Sequence, residues 1–185
     1  MRFLPLWLWL LARMAFAAGE PRLQMGDIVF HTSRSAQSKA IQLATHSPYS
    51  HVGVVEVATD GVFVIEAVQP VSRTPWEKWR RRGEGGKVMV MRAALDEAAR
   101  RRVVSVARAW VGQPYDARFE WGDEALYCSE LVHKAFGRGA GVALGKLQRL
   151  GELDLAPVRA AARARYGGDV PEALLLVTPA SIAAD

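Results

Sequence analysis

A single globular domain of mixed helix and strand, α/β or α+β, is what this sequence predicts, and three observations predict it. The 185 residues suit one domain with a proper core, half of them are apolar, and there is no internal repeat or low-complexity tract. Two β-branched runs, 51–57 and 62–68, flank the turn-forming Ala58-Thr59-Asp60-Gly61 and read as a hairpin. Two later stretches, 96–111 and 128–136, carry apolar residues at the period of a helix buried along one face.

Taken in order, residues 1–18 begin with a basic Arg2, continue through an apolar run over 3–11 and end with Ala15-Phe16-Ala17-Ala18, the pattern of a secretory signal peptide. Arg13 interrupts the pattern, and the stretch is short for a membrane span, so an uncleaved amphipathic anchor is the alternative. Residues 19–185 then form one domain, periplasmic or extracellular after cleavage. Gly26-Asp27 turns into a strand over 28–31, and 35–45 has Ala36, Ala40, Ile41 and Ala44 at helical spacing. Pro48 makes 46–50 a loop before the hairpin.

Thr74-Pro75-Trp76-Glu77 reads as a helix start, with Thr74 as cap and Pro75 at the first position, and Gly83-Glu84-Gly85-Gly86 ends that helix. Residues 87–92 read as a strand. In the helix over 96–111, Ala99, Val103, Val106, Ala107 and Trp110 face inward and the arginines outward. Gly112-Gln113-Pro114-Tyr115-Asp116 stops it. Residues 137–168, rich in Gly, Ala and Arg, show no clear pattern, and 174–177 reads as a last strand before Pro179.

The formal charge is +5, and arginines gather at 80–82, at 100–102 and at Arg159, Arg163 and Arg165. They lie opposite apolar stripes and no nucleic-acid motif accompanies them, so they read as solvated faces with a weak attraction to anionic surfaces. The single cysteine excludes an intrachain disulfide and a cysteine-ligated metal cluster. The four histidines, His31, His46, His51 and His133, have no metal-ligand spacing, so neither a metal nor a cofactor is expected.

Cys128 begins an apolar face continued by Leu131, Val132, Ala135 and Phe136, which places it in the first turn of a helix. There the unpaired N–H groups and the helix dipole favour an anion, hence the thiolate, which is the nucleophile. The plain alternative is a small apolar residue on a buried face. A nucleophile of this kind needs a base and an orienting group from elsewhere in the fold, and His51, at the start of a hairpin strand, is a candidate base.

The segments Gly26-Asp27-Ile28-Val29-Phe30, Ser47-Pro48-Tyr49-Ser50-His51-Val52-Gly53-Val54-Val55, Val64-Ile65-Glu66-Ala67-Val68, Gly112-Gln113-Pro114-Tyr115-Asp116 and Tyr127-Cys128-Ser129-Glu130-Leu131-Val132 together resemble the circularly permuted papain-like cysteine hydrolases, and within them the YiiX/YebB-like branch of the NlpC-type family. The order His before Cys agrees with that family. The resemblance covers roughly 25–136. It implies an α+β fold, with an antiparallel sheet or small barrel packed against helices and the nucleophile at a helix N-terminus. It also implies Cys128 as nucleophile, His51 as general base and Glu66 as the carboxylate that orients the imidazole. The backbone N–H of Cys128 would serve an oxyanion hole, with Tyr49 as a further donor.

Hairpin geometry bears on Glu66. A two-residue Asp60-Gly61 turn sets Glu66 opposite Val55, about 13 Å along the strand from His51. A longer loop centred between Ala58 and Thr59, or a bulge, would set Glu66 against His51; otherwise Gln69 is the fallback orienter. The expected activity is hydrolysis of an amide in a peptide, cell-wall or acyl-bearing substrate. Acyl transfer or thioester cleavage on lipid-like substrates, and a non-catalytic binding domain of the same fold, are the alternatives.

Overall fold

The computed structural model describes residues 22–185. The signal-peptide segment, 1–18, lies outside them. β1 (Ile28–His31) is followed by α1 (Ala36–Thr45), the hairpin β2 (His51–Ala58) and β3 (Gly61–Glu66), a fourth strand β4 (Ser72–Pro75), α2 (Trp76–Arg82) and β5 (Met89–Met91). These strands form one antiparallel sheet in the order β4-β3-β2-β1-β5. Then come α3 (Glu97–Ala109), α4 (Cys128–Ala140), a small two-stranded sheet of β6 (Gln148–Arg149) and β7 (Leu175–Leu176), with α5 (Arg159–Tyr166) between them, and α6 (Pro179–Ala183).

The period-2 alternation of the strands sends each half of their side chains to a different apolar cluster. Ile28, Phe30, Val52, Val54 and Ile65 pack with Leu131, Val132, Ala135 and Phe136 of α4 and with Val103 and Ala107 of α3. Val29, Val55 and Val64 turn the other way, against Trp79 of α2. Both faces of the sheet are therefore covered. Helices α3 and α4 approach very closely: a Cβ on Gly139 would lie 2.6 Å from the backbone of Val103, so this crossing admits only glycine without a shift.

Three local expectations are corrected. Thr74 does not cap α2: it is the third residue of β4, Pro75 stands at the cap position without a side-chain bond, and the Thr74 hydroxyl is donated to Glu66 instead. The hairpin turn is Thr59-Asp60, because Ala58 pairs with Gly61, Val57 with Val62 and Val54 with Ile65. That register lies midway between the two weighed from the sequence. The unpatterned stretch 137–168 holds the end of α4, β6, two short 3-10 turns and α5, whose alanines and arginines form a helix with no buried residue.

Candidate active site

Tyr127 is the extended cap residue of α4, so Cys128 is its first helical residue. The Glu130 carboxylate reaches back to accept the Tyr127 N–H at 3.3 Å, and it pairs with Lys134 one turn on, 2.7 Å away. The cap is held from its other side as well, since the Tyr127 hydroxyl accepts the N–H of Val177 at 3.1 Å. These bonds fix the helix start, and with it the sulfur, which is 5% exposed. The unpaired N–H groups of a first turn favour negative charge at that position.

His51 opens β2, directly opposite His31 of β1. Its Nε2 lies 2.6 Å from Oε2 of Glu66. The Thr59-Asp60 register, carried one pair beyond Val54 and Ile65, sets Glu66 beside Gly53, so the carboxylate reaches His51 along the diagonal of the sheet. Gly53 makes this contact possible. A Cβ there would sit 2.4 Å from Cγ1 of Val64 and 2.9 Å from the carbonyl oxygen of Ile65, so only a glycine lets β3 come this close.

Glu66 is 0% exposed, and its charge is compensated from three sides. Oε1 accepts the Thr74 hydroxyl at 2.6 Å and the Arg82 guanidinium from the end of α2, while Oε2 faces His51. Burial pushes the carboxyl up, but the bond to His51, the charges of His51 and Arg82 and the Thr74 hydroxyl outweigh it and hold the group at about 2. Burial likewise pushes His51 down. Its interactions with Cys128 and with Glu66 outweigh that, and the imidazole rises to about 9. With Nε2 committed to Glu66, Nδ1 is the nitrogen left for the sulfur.

The other named residues are placed differently. Tyr49 packs its ring on Phe30, with centroids 5.6 Å apart, and lines neither the cavity at Cys128 nor the pocket at His51. Gln69 lines the pocket beside His51, but its Oε1 accepts the N–H of Tyr115 at 2.7 Å, not the imidazole. Glu66, not Gln69, is the carboxylate or amide that meets His51.

Four further residues stand at the site that no sequence pattern tied to it: Arg82, Thr74, His31 and Tyr115. Burial above all, then the charges of His51 and Arg82, pushes His31 down to about 3, so it stays neutral. It fills the space between His51 and Trp79, with ring centroids at 5.0 and 4.4 Å, and both its nitrogens are buried without a hydrogen-bond partner. The Tyr115 hydroxyl accepts Nε2 of Gln37 at 2.7 Å, and burial together with the Cys128 charge pushes its phenol up, so it remains a proton donor. The only sequence signal for Tyr115 was its place in the Gly112-to-Asp116 segment.

A family model described as permuted papain-like amidase enzyme, YaeF/YiiX, C92 family, matches residues 22–185. The chain belongs to that amidase family. Among its relatives is the uncharacterized protein YiiX of Escherichia coli (strain K12), 41% identical over 163 residues that cover 86% of this chain and 81% of YiiX. A crystal structure of the metalloprotein YiiX from Escherichia coli O157:H7 is also similar, with a TM-score of 0.83 and 42% identity over 86% of this chain and 91% of that one. Like the rest of the amidase family, the chain is thus a permuted papain-like α+β protein.

Proposed function

We propose that this protein is a cysteine amidase working through a thioester at Cys128, with His51 as base and Glu66 as orienter. The observation that carries the proposal is the buried His51–Glu66 contact of 2.6 Å beside a cysteine at a helix start. The Cys128 sulfur attacks the acyl carbon and forms a C–S bond. The C–N bond breaks as the His51 imidazolium gives its proton to the departing amine. Water then adds to the thioester, His51 takes its proton, the C–S bond breaks, and the acid leaves. The Cys128 N–H is the proposed oxyanion donor, and the Tyr115 hydroxyl, whose phenol feels the Cys128 charge, is proposed in place of Tyr49 as the side chain that assists it.

The solved YiiX relative is named a metalloprotein. Among the described residues of this chain no three His, Cys, Asp or Glu side chains gather where a metal would be held, and the His51 Nε2 is occupied by Glu66, so the residues do not fit a metal centre and no step runs through one. We further propose export through residues 1–18, which N-terminal sequencing of the mature protein would test.

The test of the triad is alkylation. Iodoacetamide is expected to label Cys128 rapidly at pH 7, and His51→Ala to slow that labelling about tenfold or more, because the imidazolium stabilises the thiolate. Equal labelling rates in the two proteins would make Cys128 a structural thiol.

A further inference from the structure

Beside the catalytic imidazole lies a polar pocket of about 270 Å³, with His51 in its wall. Ser33 and Ser35 lead into α1 there, Gln37 belongs to the first turn of that helix, Gln69 follows β3, and Arg82 ends α2. Ser35 is the cap of α1, its Oγ accepting the N–H of Ser38 at 3.0 Å, and the first turn carries no acidic residue. The pocket therefore sits at the positive end of the helix.

What the wall offers is donors. The Arg82 guanidinium reaches Glu66 through Nη2, but its Nε is buried without a partner. His31, 2% exposed, stays neutral and keeps one N–H, yet neither nitrogen is paired; the Thr32 backbone nearby makes no bond of ordinary geometry with it. Ser33 adds a hydroxyl 3.3 Å from that of Ser35. Gln69 Oε1 is taken by the Tyr115 N–H at 2.7 Å, so its NH₂ group is what it has left to give. Gln37 is already engaged, its Nε2 with Tyr115 and its Oε1 with Arg165. Among the described residues the wall holds no carboxylate, and Glu66 is fully buried with both oxygens occupied.

A buried donor without an acceptor is destabilising. Two such side chains in one wall, at a helix N-terminus and with no acid among them, fit a ligand that supplies only acceptors, which is an oxyanion. The place of the pocket says which part of a substrate it takes. In amide cleavage the base hands its proton to the departing amine, and it is His51, not Cys128, that lines this space.

We infer that the amine released by this protein bears an oxyanion, a carboxylate, sulfonate or phosphate, held in the His51 pocket by Arg82, Ser33, His31 and the N-terminal end of α1. This rests on the cysteine amidase reading and adds the class of leaving group to it. The oxyanion takes no part in bond making: the C–N bond breaks, the amine takes the proton from His51, and water supplies the oxygen of the acid.

The hexanoyl amides of ethanolamine, β-alanine, taurine and O-phosphoethanolamine test the inference, because only the end group varies: a hydroxyl, a carboxylate, a sulfonate or a phosphate. In turnover, kcat/KM for the favoured anionic amide is expected to exceed that for the ethanolamide by about tenfold to a hundredfold, and the order of the three anions names the group. Arg82→Gln lowers every rate, since Arg82 also supports Glu66, so the reading is the anionic-to-neutral ratio, which is expected to fall to about one. Ser33→Ala, which leaves the Arg82–Glu66 pair in place, is expected to lower the same ratio severalfold. In binding, the full-length Cys128→Ala protein is expected to hold the favoured anionic amide about tenfold or more tightly than the ethanolamide. Cys128-dependent turnover of the ethanolamide at least as fast as that of the anionic amides overturns the inference and leaves the amidase reading standing. So does an anionic preference that both variants leave intact. Binding to Cys128→Ala that ignores the end group overturns the inference as well. Anion-dependent binding that Arg82→Gln abolishes in the Cys128→Ala protein, with no Cys128-dependent amine release from any of the four amides, keeps the anion pocket and overturns amide cleavage.

Discussion

Glu66 is a buried carboxylate with three partners, and its removal can be divided between charge and shape. Glu66→Gln keeps the volume and one oxygen but no longer favours the imidazolium. Loss of an orienting carboxylate in such a unit lowers kcat by about 10⁴-fold, against about 10⁶-fold for loss of the nucleophile. Glu66→Gln is therefore expected to fall well short of the damage done by Cys128→Ala in an amide-hydrolysis assay, with a native circular dichroism spectrum. Unchanged kinetics in Glu66→Gln would make Glu66 a structural support for α2 rather than an orienter. Cys128 could be placed in a first helical turn from its local pattern, whereas the pairing of His51 with Glu66 came only from the resemblance of five segments taken together, and the structure brings those two side chains to 2.6 Å. Arg82 and Thr74 could not be read from the sequence, for different reasons: Arg82 is one of three consecutive arginines, and nothing local distinguishes the one that reaches Glu66. Thr74 carried a plausible cap signal, and its hydroxyl found a buried carboxylate instead.

At the level of elements, the decisive one is the β2–β3 hairpin. A choice between two turns, Asp60-Gly61 or a longer loop, put Glu66 either out of reach of His51 or directly across from it. The Thr59-Asp60 turn gives a third register, and the missing side chain at Gly53 lets the carboxylate cross the diagonal. Sequence patterning fixed which face each residue takes, since a shift of two keeps the face, but the exact pairing depends on turn geometry that Ala58-Thr59-Asp60-Gly61 leaves open. Gly53→Ala tests this. Its Cβ would meet a backbone oxygen as well as a side chain, so the strands must move apart. It is expected to destabilise the protein by about 1–3 kcal/mol, read as a lower urea midpoint at constant slope, and to slow alkylation of Cys128 as His51 loses its partner. An unchanged midpoint would mean that the strands accommodate the methyl and that Gly53 does not set the diagonal. The helices were easier to read: α3 and α4 declare themselves by large apolar residues at the helical period, whereas α5 is built of alanines and arginines and buries none of them.

Across the whole molecule, the site ties the sheet to α2 through Arg82 and to α4 through Cys128, so its ionisation is expected to show in global stability. His51 is raised from 6.5 to about 9, so its contribution is fully present below pH 6.5 and is lost as pH rises through about 9. That shift corresponds to something on the order of 3 kcal/mol. His31 has the opposite sign. Held neutral down to about 3, it contributes fully above pH 6.5, and its contribution falls as the unfolded chain takes up a proton that the folded one refuses. Glu66 joins this acid limb below 4.5, losing its contribution as pH falls through about 2. Stability should therefore peak near pH 6.5 and decline on both sides. Thermal midpoints of the wild type and two variants check the assignment. His51→Gln is expected to flatten the decline between pH 6.5 and 9, and His31→Gln the decline between pH 6.5 and 4.5, where Glu66 has not yet begun to titrate. Parallel curves for all three proteins would mean that neither histidine is coupled to folding, and the ion pair at the centre of the site would then have no part in holding the two faces of the sheet together.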